Sequence, residues 1–221
     1  MNEDKARYTA TATWPDPEDR LTTFAPRHDR PPAPAKVKIL EVADTLFYTE
    51  GIHTVGVDRI IQSARVTKAT FYKHYRSKDL LIVAYVQRRH EQAVELFEQA
   101  RAGAQTPADE LRALSDLIRR VATQPNYHGC PFINAAAQFS DPEHPARRAV
   151  TRHREWERAV LVDILERLSH PRVEEAADDL MLFRDGALSG SNVGDPVRAG
   201  LALARAVERV IAERSPTALA V

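Results

Sequence analysis

The sequence predicts an all-α protein, and three observations predict it. Apolar residues recur at three- and four-residue spacing in one segment after another. No segment alternates with period two over strand length between turn signals, and no repeat of fixed period appears. Proline, glycine or a capping residue punctuates each helical stretch.

Taken in order, residues 1–34 carry six of the fourteen prolines and no sustained apolar period, which predicts a flexible Pro-rich arm. Val37, Leu40, Ala43, Leu46 and Phe47 then fall at helical spacing, with Gly51 as a stop. Residues 57–64 predict a short second helix that turns Val57, Ile60, Ile61 and Ala64 inward. Thr67 is a natural N-cap for a third, over Lys68 to Tyr75, and Ser77 caps a fourth that runs to about Ala102. Thr106-Pro107 opens a fifth, with Asp109 and Glu110 in its first turn, closing near Gln124-Pro125. A small-residue segment, Cys130 to Phe139, follows without a helix assigned to it. The proline pairs at Asp141-Pro142 and His144-Pro145 mark a turn before a long charged helix that reaches about Leu168. Two last helices, 173–189 and 196–213, are predicted on either side of a Ser189 to Gly194 spacer, leaving residues 214–221 as a tail.

Composition narrows the function. The formal net charge is zero, which excludes a uniformly basic polyanion binder, yet the charge is unevenly placed. Between Lys36 and Arg89 ten Lys or Arg stand against five Asp or Glu, and from Arg59 to Lys78 six basic residues and no acidic ones are interleaved with Phe71, Tyr72 and Tyr75. One basic, aromatic patch on a neutral chain implies one anionic partner at one face. The single cysteine, Cys130, excludes an intramolecular disulfide. His128, Cys130, His144 and His153 match no standard zinc spacing, and neither a P-loop, a G-x-S-x-G nor an H-E-x-x-H motif occurs, so neither metal, cofactor nor catalysis is expected. With no apolar run of about 18 residues and no basic-then-apolar leader, the expected location is the cytoplasm.

Residues 57–75 supply the parts of a helix-turn-helix: a short helix, a tight turn, and a second helix fit for a major groove about 12 Å wide. Ala64 is small where the helices must approach, and Val66 pins the turn. Lys68, Thr70, Tyr72, Lys73 and His74 are left facing outward, with Ala69 and Phe71 expected to pack inward. Thr67 and Lys78, at helix N-termini, are the expected phosphate anchors, and Tyr75 is expected to pack between helices.

Residues 36–85, and above all the run TKATFYKHYRSKDLL from Thr67 to Leu81, closely resemble the DNA-binding domain of the TetR (tetracycline repressor) family. The resemblance implies an all-helical dimer with a variable ligand domain and DNA binding relieved by ligand. Arg65 departs from it, standing in the turn where many members carry Gly. A weaker likeness, to one subgroup of such regulators, lies in HGCPFINAAAQF from His128 to Phe139.

The expected organisation is therefore a DNA-binding domain over 35–80 and a helical ligand-binding and dimerisation domain over 81–213. The expected partners are double-stranded operator DNA, an unidentified small-molecule effector with Cys130, Phe132, Asn134 and Trp156 lining its pocket, and a second copy of the chain. Apolar stripes along the last two helices (Leu180, Phe183, Ala187 and Leu188; Val197, Leu201, Ala204, Val207 and Ile211) suit that second copy. An architectural DNA-binding protein without an effector is the alternative; about 135 residues beyond the helix-turn-helix exceed what a dimerisation clamp requires.

Overall fold

The computed structural model describes residues 33–213, all helix and short connections, with no strand among them. The predicted arm, apart from Ala33 and Pro34, and the predicted tail lie outside the described residues. The described residues form two compact units interleaved along the chain: 33–90 with 131–151, and 91–130 with 152–213.

In the first unit, Pro34 opens α1 (Pro34–Glu50), a position where its missing N–H costs nothing. Ile39, Ala43, Leu46 and Phe47 form its buried line, while Val37 and Leu40 are only half-buried. Gly51 ends the helix at φ 90°, which a Cβ would strain. α2 (Val57–Ala64) buries Ile60 and Ala64. Arg65 then takes the left-handed conformation, φ 55° and ψ 43°, in the turn before α3 (Lys68–His74). Phe71 of α3 is fully buried, and α4 (Lys78–Arg101) supplies Leu81, Ile82, Val83, Tyr85 and Val86 to the same core. Phe47 meets Tyr85 edge-on at 5.6 Å, and Arg89 reaches Asp44 at 2.7 Å while lying over the Tyr48 ring.

Ala69 does not pack inward; it is exposed. With 100° per residue, a helix that drives Phe71 into the core turns position 69 about 200° away from it. The segment from Cys130 to Phe139 is also not featureless. Gly129 at φ 89° turns the chain, and Pro131 starts α6 (Pro131–Ala137), which buries Phe132 and Ala135. Arg147, at the start of α7 (Pro145–Arg167), donates to the carbonyls of Ala136 and Phe139, closing the end of α6.

In the second unit, α5 (Pro107–Ala122) begins with a complete capping box between Thr106 and Asp109. Its Leu111, Leu114 and Leu117 join Phe97, Trp156, Leu161, Ile164 and Leu165 in one apolar core. α8 (Val173–Val193) and α9 (Pro196–Ala212) add Leu180, Met181, Leu203, Val207 and Val210. The predicted spacer from Ser189 to Gly194 is mostly helix, because α8 runs on to Val193. Buried Ser191 returns its hydroxyl to the Ala187 carbonyl at 2.7 Å, and a Cβ on Gly190 would meet the Ala199 Cβ at 3.7 Å. Packing against α9 thus overrides two residues that locally favour a turn. Glu110 of α5 accepts from Arg101 at 2.7 Å and from Arg167 at 2.5 and 2.9 Å, which holds its carboxyl below the usual carboxylate range. Among the described residues no helix is long and apolar enough to cross a membrane.

Candidate nucleic-acid interface

The candidate recognition surface is on α3, whose geometry follows from two fixed points. At its start, the Thr67 hydroxyl accepts from the Thr70 amide at 3.1 Å, satisfying one of the free N–H groups of the first turn. At its end, Tyr75 is buried, its ring 6.4 Å from that of Phe71, and its hydroxyl donates to the Lys36 carbonyl at 3.3 Å. Burial pushes the Tyr75 phenol up to about 12, so it remains a donor throughout the neutral range. Between these anchors, fully buried Phe71 seals one side of the helix.

The side chains that the sequence assigns to DNA are spread around the rest of the helix, with Lys73 turned furthest from Phe71. Lys68 is exposed, with its ammonium 3.4 Å from the carboxylate of Asp58 on α2. Tyr72 is 43% exposed and stands edge-on to Phe71 at 5.2 Å. Lys73 is exposed and His74 half-buried. Thr70 is half-buried too, and its hydroxyl lies 2.8 Å from that of Thr67, joining the cap. Lys78 sits half-buried at the start of α4, 6.0 Å above the Phe47 ring. Burial holds its ammonium below the usual lysine range, against the pull of Asp79. The Ser77 hydroxyl caps α4 by accepting from the Leu80 amide at 3.1 Å. Arg65 places an exposed guanidinium in the turn from a strained backbone. The Asp58 partner of Lys68 escapes sequence reasoning; its place in the first turn of α2 was the available signal.

The four residues expected around a ligand divide between the units. Phe132, buried, and Asn134, half-buried, are on α6 in the first unit. Cys130 and Trp156 are buried in the second, where Trp156 packs its ring 5.2 Å from Phe97 and 5.6 Å from His153. Beside Trp156 the second unit holds a polar chain, half-buried at Arg154 and Asp185 and buried at Arg184, Glu157 and His153, that periodicity does not reveal. Arg154 pairs with Asp185 at 2.8 Å, Asp185 with Arg184 at 2.7 Å, and Arg184 with Glu157 at 2.8 Å; His153 lies 3.8 Å from the far oxygen of Glu157. Burial drives the Glu157 carboxyl upward despite Arg184. Burial acts likewise on Asp185, but hydrogen bonds from Arg154 and Arg184 outweigh it and hold that group low.

Comparison with known proteins agrees with this arrangement. Residues 39–85 match the family of bacterial regulatory proteins described as the tetR family. The curated regulator UidR of Escherichia coli is 30% identical over 66 residues, which is 30% of this chain but only 34% of UidR, so the match spans about a third of that relative. The regulator LmrA of Bacillus subtilis is 26% identical over 125 residues, 55% of this chain and 66% of its own length. A TetR-family transcriptional regulator of known structure from Streptomyces coelicolor superposes with a TM-score of 0.77 at 34% identity, covering 80% of this chain and 94% of that one. A regulator from Agrobacterium tumefaciens shares the fold, with a TM-score of 0.70 at 21% identity over 79% of this chain and 96% of that one. The 34% identity along 94% of the Streptomyces coelicolor family member, together with the match over the helix-turn-helix, establishes that the chain belongs to the TetR family of DNA-binding transcriptional regulators.

Proposed function

We propose that this regulator is a cytoplasmic repressor that binds a palindromic operator as a homodimer and leaves it when a small molecule occupies the second unit. The observation that carries the DNA-reading part is Tyr72, 43% exposed between Lys68 and Lys73 on a helix sealed from behind by Phe71. Aromatic and cationic groups on a rigid helix offer both base-edge and phosphate contacts. Lys68, Thr70, Tyr72, Lys73 and His74 face the groove in this reading, and Thr67 and Lys78 anchor phosphates.

The homodimer is supported by the surface of the last two helices. Leu182, Val193, Val197 and Leu201 are exposed, at 67%, 86%, 57% and 48%, and a shallow recess of about 430 Å³ lies among Leu201, Ala204, Arg205, Glu208 and Arg209. Large apolar side chains left in water along neighbouring helices favour a self-complementary contact. A two-fold dimer of a helix-turn-helix reads two half-sites about one DNA turn apart.

Effector release is supported by the size and character of the second unit. Its apolar core, built around Phe97 and Trp156, contains the buried Glu157–Arg184 pair, and Cys130 and Trp156 are its candidate ligand contacts. The deciding experiment is selection of bound duplexes from a random pool, followed by a metabolite screen for compounds that release the selected one. Recovery of a palindrome and of a releasing compound supports the reading; a palindrome that no compound releases favours an effector-independent protein.

A further inference from the structure

Residues 131–151 belong to the same compact unit as the helix-turn-helix, although residues 91–130 of the other unit intervene in the chain. The link is specific. In the loop between α1 and α2, the His53 amide donates to Gln138 Oε1 at 2.9 Å, and the His53 ring Nε2 meets the Gln138 backbone carbonyl. The Gln138 side chain also closes over Gly51: a Cβ there would lie 3.8 Å from Gln138 Oε1. Gln138 Nε2 donates in turn to the Asn134 carbonyl at 3.4 Å, tying the side chain to α6. Around this bond the His53 ring lies tilted against that of Phe139 at 5.0 Å, Phe139 stacks on His144 at 4.1 Å, and His144 Nε2 lies 4.0 Å from Asp79 in the first turn of α4.

We propose that Gln138 is a positioning residue for DNA reading, holding the 51–56 loop and hence the start of α2 at the angle that presents α3. The physical reason is economy of constraint. The loop is short, His53 and Thr54 are exposed, and the buried anchors of the two helices, Ile60 and Ala64 on α2 and Phe71 on α3, lie beyond it. Without the Gln138 side chain the loop keeps its two buried side chains, Ile52 and Val55, and the His53 ring contact to the backbone carbonyl of residue 138, but loses the bond that fixes the His53 amide. A misplacement of about 1 Å is enough to degrade contacts that depend on hydrogen-bond geometry.

The test uses the full chain and the duplex it selects from a random pool, at about 0.15 M salt, where long-range charge effects are screened to ~8 Å. Gln138→Met keeps length and removes the acceptor; Gln138→Glu restores the acceptor for the His53 amide. Met is expected to weaken binding roughly five- to tenfold, with a melting temperature lowered by no more than about 4 °C, the scale of one lost hydrogen bond, and Glu to recover most of both losses. Hydrogen exchange on the wild-type chain is the companion measurement: the His53 amide should be protected although its residue is exposed, and should lose that protection in Gln138→Met. Wild-type affinity in Gln138→Met, no recovery in Gln138→Glu, or an unprotected His53 amide in the wild-type chain would each overturn the proposal. The last of these holds even if Gln138→Met fails to fold.

Discussion

Arg184 on α8 and Glu157 on α7 form an ion pair of 2.8 Å with both side chains almost fully removed from water. Buried pairs of this kind add little net stability, because desolvation of two charges consumes most of their attraction. Breaking one is another matter. Arg184→Met is expected to destabilise the chain by about 3–5 kcal/mol, since it strands Glu157, whereas replacing both residues by apolar ones of like volume should cost far less. A double-mutant cycle by denaturant unfolding checks this.

The same pair fixes a pH dependence. Glu157 is raised by burial, so the folded state holds its proton more tightly than the unfolded state does. Its contribution to stability is therefore full below the unfolded carboxylate pKa and declines as pH rises through the folded value. Removing Arg184 enlarges that shift, so Arg184→Met should lose more stability relative to wild type at pH 8 than at pH 5. Asp185 works in the opposite sense: held low by Arg154 and Arg184, it contributes stability above the unfolded value that is lost on acidification. Unfolding curves at the two pH values, with Asp185→Asn beside Arg184→Met, separate the effects.

At the helix-turn-helix, Arg65 holds a left-handed conformation that costs a non-glycine residue on the order of 1 kcal/mol. Arg65→Gly relieves that strain at the expense of a more flexible unfolded chain, so stability should change by less than about 1 kcal/mol. Arg65→Val should destabilise more, β-branching being incompatible with that region. If the guanidinium contacts a phosphate, Arg65→Gly also flattens the salt dependence of DNA binding by about one unit of slope. Melting temperatures and a salt titration of DNA affinity decide both points.

On the last two helices, Leu201→Glu and Val197→Glu place charges in the apolar surface proposed for the dimer. Each should shift the chain to monomer in sedimentation at micromolar concentration while leaving its helix content unchanged. Persistence of the dimer in both variants would move the interface elsewhere.

The legibility of these features in the sequence tracks how local their causes are. The bounds of α2, the Thr67 cap and the packing of Tyr75 are set within a few residues, and reading the sequence finds them. Ala69 was misplaced because small residues carry no strong signal of side, and helix phase, fixed by Phe71, decides. The spacer at Ser189 to Gly194 reads as a turn from composition, yet its backbone is held in helix by α9. The buried charges of α7 escaped for a related reason. A charged helix looks solvated in sequence, and only contact with Arg184 and Asp185 from α8 shows that Glu157 is inside. The hold of Gln138 on His53 is the least local feature of all, joining segments that no periodicity connects.

The groove-facing assignment predicts that Tyr72→Ala and Lys68→Ala each weaken operator binding by about 1–3 kcal/mol without lowering the melting temperature. Asp58→Asn frees Lys68 from its 3.4 Å partner and should leave affinity unchanged or raise it. Titration of the selected duplex by fluorescence anisotropy measures all three.

The most direct measurement of the account is sedimentation of the full chain with a labelled duplex carrying the selected sequence, set against a scrambled duplex, over a range of salt. The account predicts two chains per palindromic duplex, strong preference over the scrambled one, and affinity that falls steeply with salt as phosphate contacts release counterions. One chain per duplex, or equal binding of both duplexes at every salt concentration, would contradict it.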